Sequence, residues 1–199
     1  MKKVFALLVL LALLAGCSAE AAPAMYIEPA QLDEKEEAVA KLLGADTDQH
    51  LFDVVLDGTA KKVRTVVYEL ADGEWRVLTA GNMALNEDSK KGRMAFGFED
   101  LRGKYWEAVQ FEKDFRSSSY GSPEEAELAE GMGRATSFLS NRTEVVYGQE
   151  IPLAVQIHTA KNGVISYGPE QFFYPEEYEE LGYEHVYALT VMFSQEPLS

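Results

Sequence analysis

The chain has 199 residues, with 18 Lys plus Arg against 33 Asp plus Glu and a formal net charge of −15 at pH 7. So acidic a chain is excluded from binding along a nucleic-acid backbone, whose phosphates need Lys and Arg, and from adhering to anionic lipid headgroups through a basic patch. A single cysteine rules out an internal disulfide, so stability must rest on a hydrophobic core. The length suits one well-cored domain.

Lys2 and Lys3 open the chain with a short positive segment, and an uncharged apolar run follows over residues 4–15. That run is too short to cross a hydrocarbon core about 30 Å thick, which takes roughly 20 apolar residues. It reads as a signal peptide. It ends Leu14-Ala15-Gly16-Cys17, which resembles the lipobox of bacterial lipoproteins: a leucine, two small residues, then cysteine. The resemblance covers residues 1–18. It implies cleavage before Cys17 and a diacylglyceryl group on the Cys17 thiol. The protein is then expected at the cell membrane, lipid-anchored, on the extracytoplasmic face. Cleavage removes two lysines and no acid, so the −15 of the whole chain becomes −17 in the mature one.

Residues 17–31 are rich in Ala and Pro and read as a tether, which leaves 32–199 as a single β-rich domain. Residues 32–43 carry apolar positions at helical spacing (Ala38, Val39, Leu42, Leu43). Asp33 and Glu36 are spaced as a capping box, and Gly44 stands as the C′ residue. The period then changes to two. Strands are expected at 51–57, 62–71, 74–80, 93–100 and 104–113, then at 143–147, 151–159, 164–167 and 186–194. Asp72-Gly73 and Asn162-Gly163 are placed as hairpin turns. Residues 116–121 read as a Ser-rich loop. Ser122-Pro123 opens a short helix, and 175–181 forms another. With strands joined by tight turns and no helices interleaved, the class is mainly β: an antiparallel β-sandwich of about eight or nine strands, an N-terminal helix at an edge or end, and short helical insertions.

Candidate chemistry is sparse. His50, His158 and His185 lack metal-ligand spacing, and His158 shares strand parity with Ala154 and Gln156, which directs it to solvent. Asp46, Asp48, Asp53 and Asp57 invite a calcium reading but depart from an EF-hand loop. No metal and no cofactor is expected, and no catalytic residue is assigned, because no motif with named roles occurs. Tyr174, Tyr178 and Tyr183 lie beside Glu177 in an irregular stretch. They are read as an acidic-aromatic surface for a cationic protein or a small ligand.

The stretches Val66-Val67-Tyr68-Glu69-Leu70, Glu74-Trp75, Gly148-Gln149-Glu150-Ile151-Pro152-Leu153 and Gly182-Tyr183-Glu184-His185-Val186-Tyr187 resemble uncharacterised lipoproteins of Gram-positive gut bacteria. That resemblance supports export and implies no activity. The function expected is a membrane-tethered binding or interaction module, with the membrane reached through Cys17 and nucleic acid excluded. The alternatives are an acidic inhibitor of a cationic enzyme such as lysozyme, steered by charge, and a cell-wall hydrolase using paired carboxylates.

Overall fold

A computed structural model describes residues 25–42, 49–112, 114–121, 131–165 and 168–198. The strands are β1 (Tyr26–Pro29), β2 (Gln49–Val55), β3 (Lys62–Ala71), β4 (Glu74–Ala84), β5 (Lys91–Phe98), β6 (Lys104–Phe111), β7 (Asp114–Gly121), β8 (Gly133–Phe138), β9 (Thr143–Glu144), β10 (Glu150–Thr159) and β11 (His185–Ser194). Helix α1 spans Glu34–Leu42, and a 3-10 turn (Pro169–Phe173) leads into helix α2 (Pro175–Leu181). The expected antiparallel β-sandwich is present. One sheet runs β7-β6-β5-β2-β1-β9 and the other β4-β3-β11-β10-β8.

Between the sheets lies the main core. Phe52, Val54, Met94, Phe96, Val109 and Phe111 come from the six-stranded sheet. Val63, Val67, Leu189, Val191 and Phe193 face them from the five-stranded sheet. The period-two alternation of β2, β5 and β11 thus places its apolar side chains inside. At Asp72-Gly73 both central residues take positive φ, 54° and 75°, as a type I′ turn between β3 and β4 requires. The capping box also forms. Asp33 Oδ1 accepts from the Lys35 and Glu36 amides at 2.8 Å, and the Asp33 amide donates to Glu36 Oε2 at 3.1 Å. Helix α1 therefore starts at Glu34 rather than Leu32. Leu43 and Gly44 lie outside the described residues.

Several expectations are corrected. Residues 26–29, assigned to the tether, are strand β1, inserted between β2 and β9 with Ile27 fully buried. The Ser-rich loop is strand β7, paired along β6 from Phe111↔Asp114 to Lys104↔Gly121. Its serines hid the period because polar residues also fall on its inner face. Asn162-Gly163 does not open a hairpin. No strand follows at 164–165, because the Ile165 amide donates to the Tyr183 hydroxyl at 2.8 Å; residues 166–167 lie outside the described ones. The helix expected at Ser122-Pro123 also lies outside them.

His158 is buried, not solvent-facing. A β-bulge shifts the β10–β11 register between Pro152 and Ala154. Ile151, Leu153 and Ala154 all reach the inter-sheet core, while Val155 and Ile157 are carried to the opposite face. One extra residue exchanges the faces of everything after it. His158 consequently points between the sheets.

The outer face of the five-stranded sheet is covered as well. Val155, Ile157, Val186 and Ala188 pack under Phe172 and Tyr178. Trp75 stacks on Phe172 with ring centroids 5.1 Å apart, meets Tyr178 edge-on at 6.3 Å, and donates its indole N–H to the Phe172 carbonyl at 2.7 Å. Tyr178, expected on a binding surface, is therefore core, with 1% of its surface exposed. Truncating it opens a cavity: Tyr178→Ala should cost about 3–5 kcal/mol in a denaturant titration. Tyr174→Ala, an exposed position, should stay within about 0.5 kcal/mol of the parent. Equal losses would contradict this packing.

Among the described residues, Glu107 and His158 are enclosed between the sheets. Burial raises the pKa of Glu107, and the hydroxyls of Thr65 and Tyr120 only partly offset that. Burial also pushes His158 down to about 4 from 6.5. Glu107 favours the folded state when protonated, so its contribution is lost as pH rises from the ordinary carboxylate range through its raised value. His158 favours the folded state when neutral, so its contribution is lost as pH falls from 6.5 towards 4. Denaturation midpoints measured from pH 4 to 9 should show Glu107→Gln more stable than the parent above neutrality, and His158→Gln with a shallower acid decline. A Glu107→Gln curve that tracks the parent at alkaline pH refutes this account of Glu107.

Candidate functional site

The predicted acidic-aromatic surface does not converge on one site. Tyr178 is core. The Tyr183 hydroxyl accepts from the Ile165 amide, and its ring lies 5.5 Å from the Lys161 ammonium, which itself donates to the Leu181 carbonyl. Tyr183 therefore pins the segment leading into α2. Glu177 accepts from the Gln171 side-chain amide across the 3-10 turn. Only Tyr174, 52% exposed beside Phe173, keeps the surface position expected of it. Tyr167 lies outside the described residues.

A polar network of Gln156, His158, Asp100 and Arg102 closes one end of the sandwich. Gln156 Oε1 accepts from the Leu101 amide at 2.9 Å and from His158 Nε2 at 3.0 Å. Gln156 Nε2 donates to the Glu99 carbonyl and the Thr136 hydroxyl, both at 3.1 Å. Asp100 lies 3.8 Å from His158 and binds the Arg102 guanidinium at 2.8 Å. Burial raises the Asp100 pKa, but the Arg102 hydrogen bonds outweigh it and hold the carboxyl below its usual range. With Nε2 donating and Nδ1 unpartnered, His158 is a neutral imidazole. Buried as it is, the network seats the β5–β6 turn on β10 and offers no access to a substrate.

The acidic positions proposed for calcium are otherwise engaged. Asp57 accepts from the Tyr147 hydroxyl at 2.6 Å and from the Thr59 amide and hydroxyl at 2.8 Å each. The Tyr147 bond, followed by the Thr59 bonds, holds its carboxyl below the usual range. Asp53 pairs with Arg93 at 2.8 Å. Asp46 and Asp48 lie outside the described residues. Among the described residues no three His, Cys, Asp or Glu side chains are grouped to hold a metal.

The feature with the geometry of a binding site was not foreseen. Helix α1 buries none of its residues. It stands off the outer face of the six-stranded sheet and is fastened there by Arg93, which bonds Glu36 at 2.7 Å and Asp53 at 2.8 Å. Between helix and sheet lies an open apolar trough of about 580 Å³. Its floor is Leu51, Ala95 and Ala108, one side chain from each of three adjacent strands in register. Trp106 and Phe115 form one wall, and Leu32, Val39 and Ala40 the other. Trp106 lies flat over Gly97, where an added Cβ would collide with the indole. The two alanines keep the floor hollow. Phe115 is 63% exposed and Val39 55%. Lys35, Glu36 and Arg93 stand at the rim. The sequence places Val39 on a helix and 104–113 in a strand, with nothing to join the two. The available signal was outward parity of large apolar residues on β6 and β7, and the loop reading of 116–121 concealed it.

Comparison with known proteins bears on the N-terminus. Residues 1–18 match the prokaryotic membrane lipoprotein lipid attachment site. No curated protein matches the chain, and no solved structure matches it. Among the described residues no helix is long and apolar enough to cross a membrane. The attachment-site match supports a membrane-associated lipoprotein anchored through lipid.

Proposed function

We propose that the chain is an extracytoplasmic, lipid-anchored binding module that holds an apolar or amphiphilic ligand in the trough between α1 and the six-stranded sheet. The observation that carries this reading is a contiguous run of half-buried and exposed apolar side chains (Val39, Leu51, Trp106 and Phe115) around a hollow of about 580 Å³. That volume lies in the range of small-molecule sites, roughly 300–1,000 Å³. Contiguous apolar surface on a water-soluble face marks an interaction site far more often than scattered exposure does. The resemblance of the mature domain to Gram-positive lipoproteins agrees with export and leaves the ligand open. A wall-hydrolase reading gains nothing here, because Glu36 and Asp53, the carboxylates beside the trough, both clamp Arg93.

The trough can be probed with the neutral apolar dye N-phenylnaphthylamine, titrated into the unlipidated chain, residues 18–199. Binding should saturate with one dye per chain and quench Trp106. Trp106→Ala should weaken it about tenfold, equivalent to roughly 1.4 kcal/mol. Ala108→Leu, which fills the floor without touching the inter-sheet core, should do the same. Dye affinity unchanged in both variants would defeat the reading.

A further inference from the structure

We infer that an acyl chain of the lipid on this protein's own Cys17 occupies the trough. The inference rests on the trough being a binding site and names its resident occupant. Cys17 is eight residue steps from Met25, the first described residue, so the linking segment reaches at most about 26–29 Å when extended. Met25 immediately precedes β1, whose Tyr26 pairs with Val55 and whose Pro29 pairs with Phe52. Leu51 on the trough floor is therefore five residues along β2 from the position opposite Met25 and one strand across. With about 3.4 Å per residue and 4.8 Å between strands, the separation is about 18 Å. The anchor can reach the trough with chain to spare.

The chemistry of the trough agrees. Its floor and walls (Leu51, Ala95, Ala108, Trp106, Val39) offer a hydrocarbon chain continuous apolar contact and demand no polar partner from it. The charged groups stay at the rim, where Arg93 and Glu36 are already ion-paired. A diacylglyceryl group is uncharged, so a mature chain carrying −17 does not repel it, whereas anionic free amphiphiles are disfavoured by the same field. A short tether also gives the acyl chain an effective concentration of millimolar order, which an untethered ligand must exceed. Bilayer and trough bury the same methylene groups, so the chain partitions between two comparable apolar media. With one chain in the trough, the other holds the bilayer alone, and single-chain anchoring is marginal and reversible. Occupancy therefore loosens the anchor.

The test uses the mature lipidated protein, residues 17–199, with the photo-reactive p-benzoylphenylalanine in place of exposed Phe115, reconstituted in phosphatidylglycerol–phosphatidylethanolamine vesicles. After irradiation, mass spectrometry should find position 115 joined to the acyl chain on Cys17 of the same molecule, identified by mixing light and ¹⁵N-labelled protein. Ala108→Leu should cut that product at least about tenfold. Adducts only to vesicle phospholipid, adducts between two protein copies, or a self-adduct that Ala108→Leu leaves unchanged would each overturn the inference. If the unlipidated chain still binds N-phenylnaphthylamine while no self-adduct forms, the trough stands as a binding site and only its occupant is wrong. If neither occurs, both readings fall.

Discussion

The two sheets are not equivalent, and the rest of the molecule follows from that. The centre of the five-stranded sheet is buried on both faces: one side of β10 and β11 packs on the six-stranded sheet, and the other lies under Phe172 and Tyr178. Every residue of β10 from Ile151 to Thr159 is buried. The six-stranded sheet is buried on its inner face only, and its outer face meets a helix that buries nothing. A sheet covered on both sides can anchor a core. A sheet covered on one side has a face to offer, and that is where the trough lies.

This asymmetry explains which parts of the fold could be read directly. Where a strand keeps strict alternation and one packed face, as in β2 and β5, period two locates the core. On β10 both faces are apolar, so alternation carries little information there, and the bulge between Pro152 and Ala154 reverses what parity remains. His158 was assigned to solvent because parity was counted through the bulge. β1 was missed for a different reason: four residues of a strand within an Ala- and Pro-rich stretch are too few to establish a period, and only pairing with β2 and β9 defines them. Capping and turn chemistry held at Asp33 and at Asp72-Gly73, where β3 and β4 pair up to the turn, whereas the same kind of local signal at Asn162-Gly163 has no pairing strand after it and opens no hairpin.

The same distinction separates the address from the site. Lipid attachment is written in a short contiguous stretch ending at Cys17, so residues 1–18 suffice to read it. The trough is assembled from α1, β2, β5, β6 and β7. Its defining members include two alanines and a glycine whose importance lies in the space they leave. No motif marks a floor of Ala95 and Ala108, or a Gly97 that lets an indole lie flat. The tyrosines of residues 174–183 form a cluster in composition and not a site. Tyr178 and its neighbours serve the two-sided burial of the other sheet.

The anchor and the fold are mechanically joined through β1. The four residues after Met25 form an interior strand of the six-stranded sheet, with Ile27 in the core. Glu28 on β1 pairs with Arg142 just before β9 at 2.8 Å, and the Arg142 guanidinium lies 3.9 Å from the centre of the Tyr26 ring. Tension on the lipid therefore acts along a strand hydrogen-bonded on both sides, where neighbouring bonds share the load. β1 is also followed at once by α1, the wall of the trough. One continuous segment thus runs from β1 in the sheet to the helix that stands over the apolar face, so whatever fills that face acts on the element that follows β1.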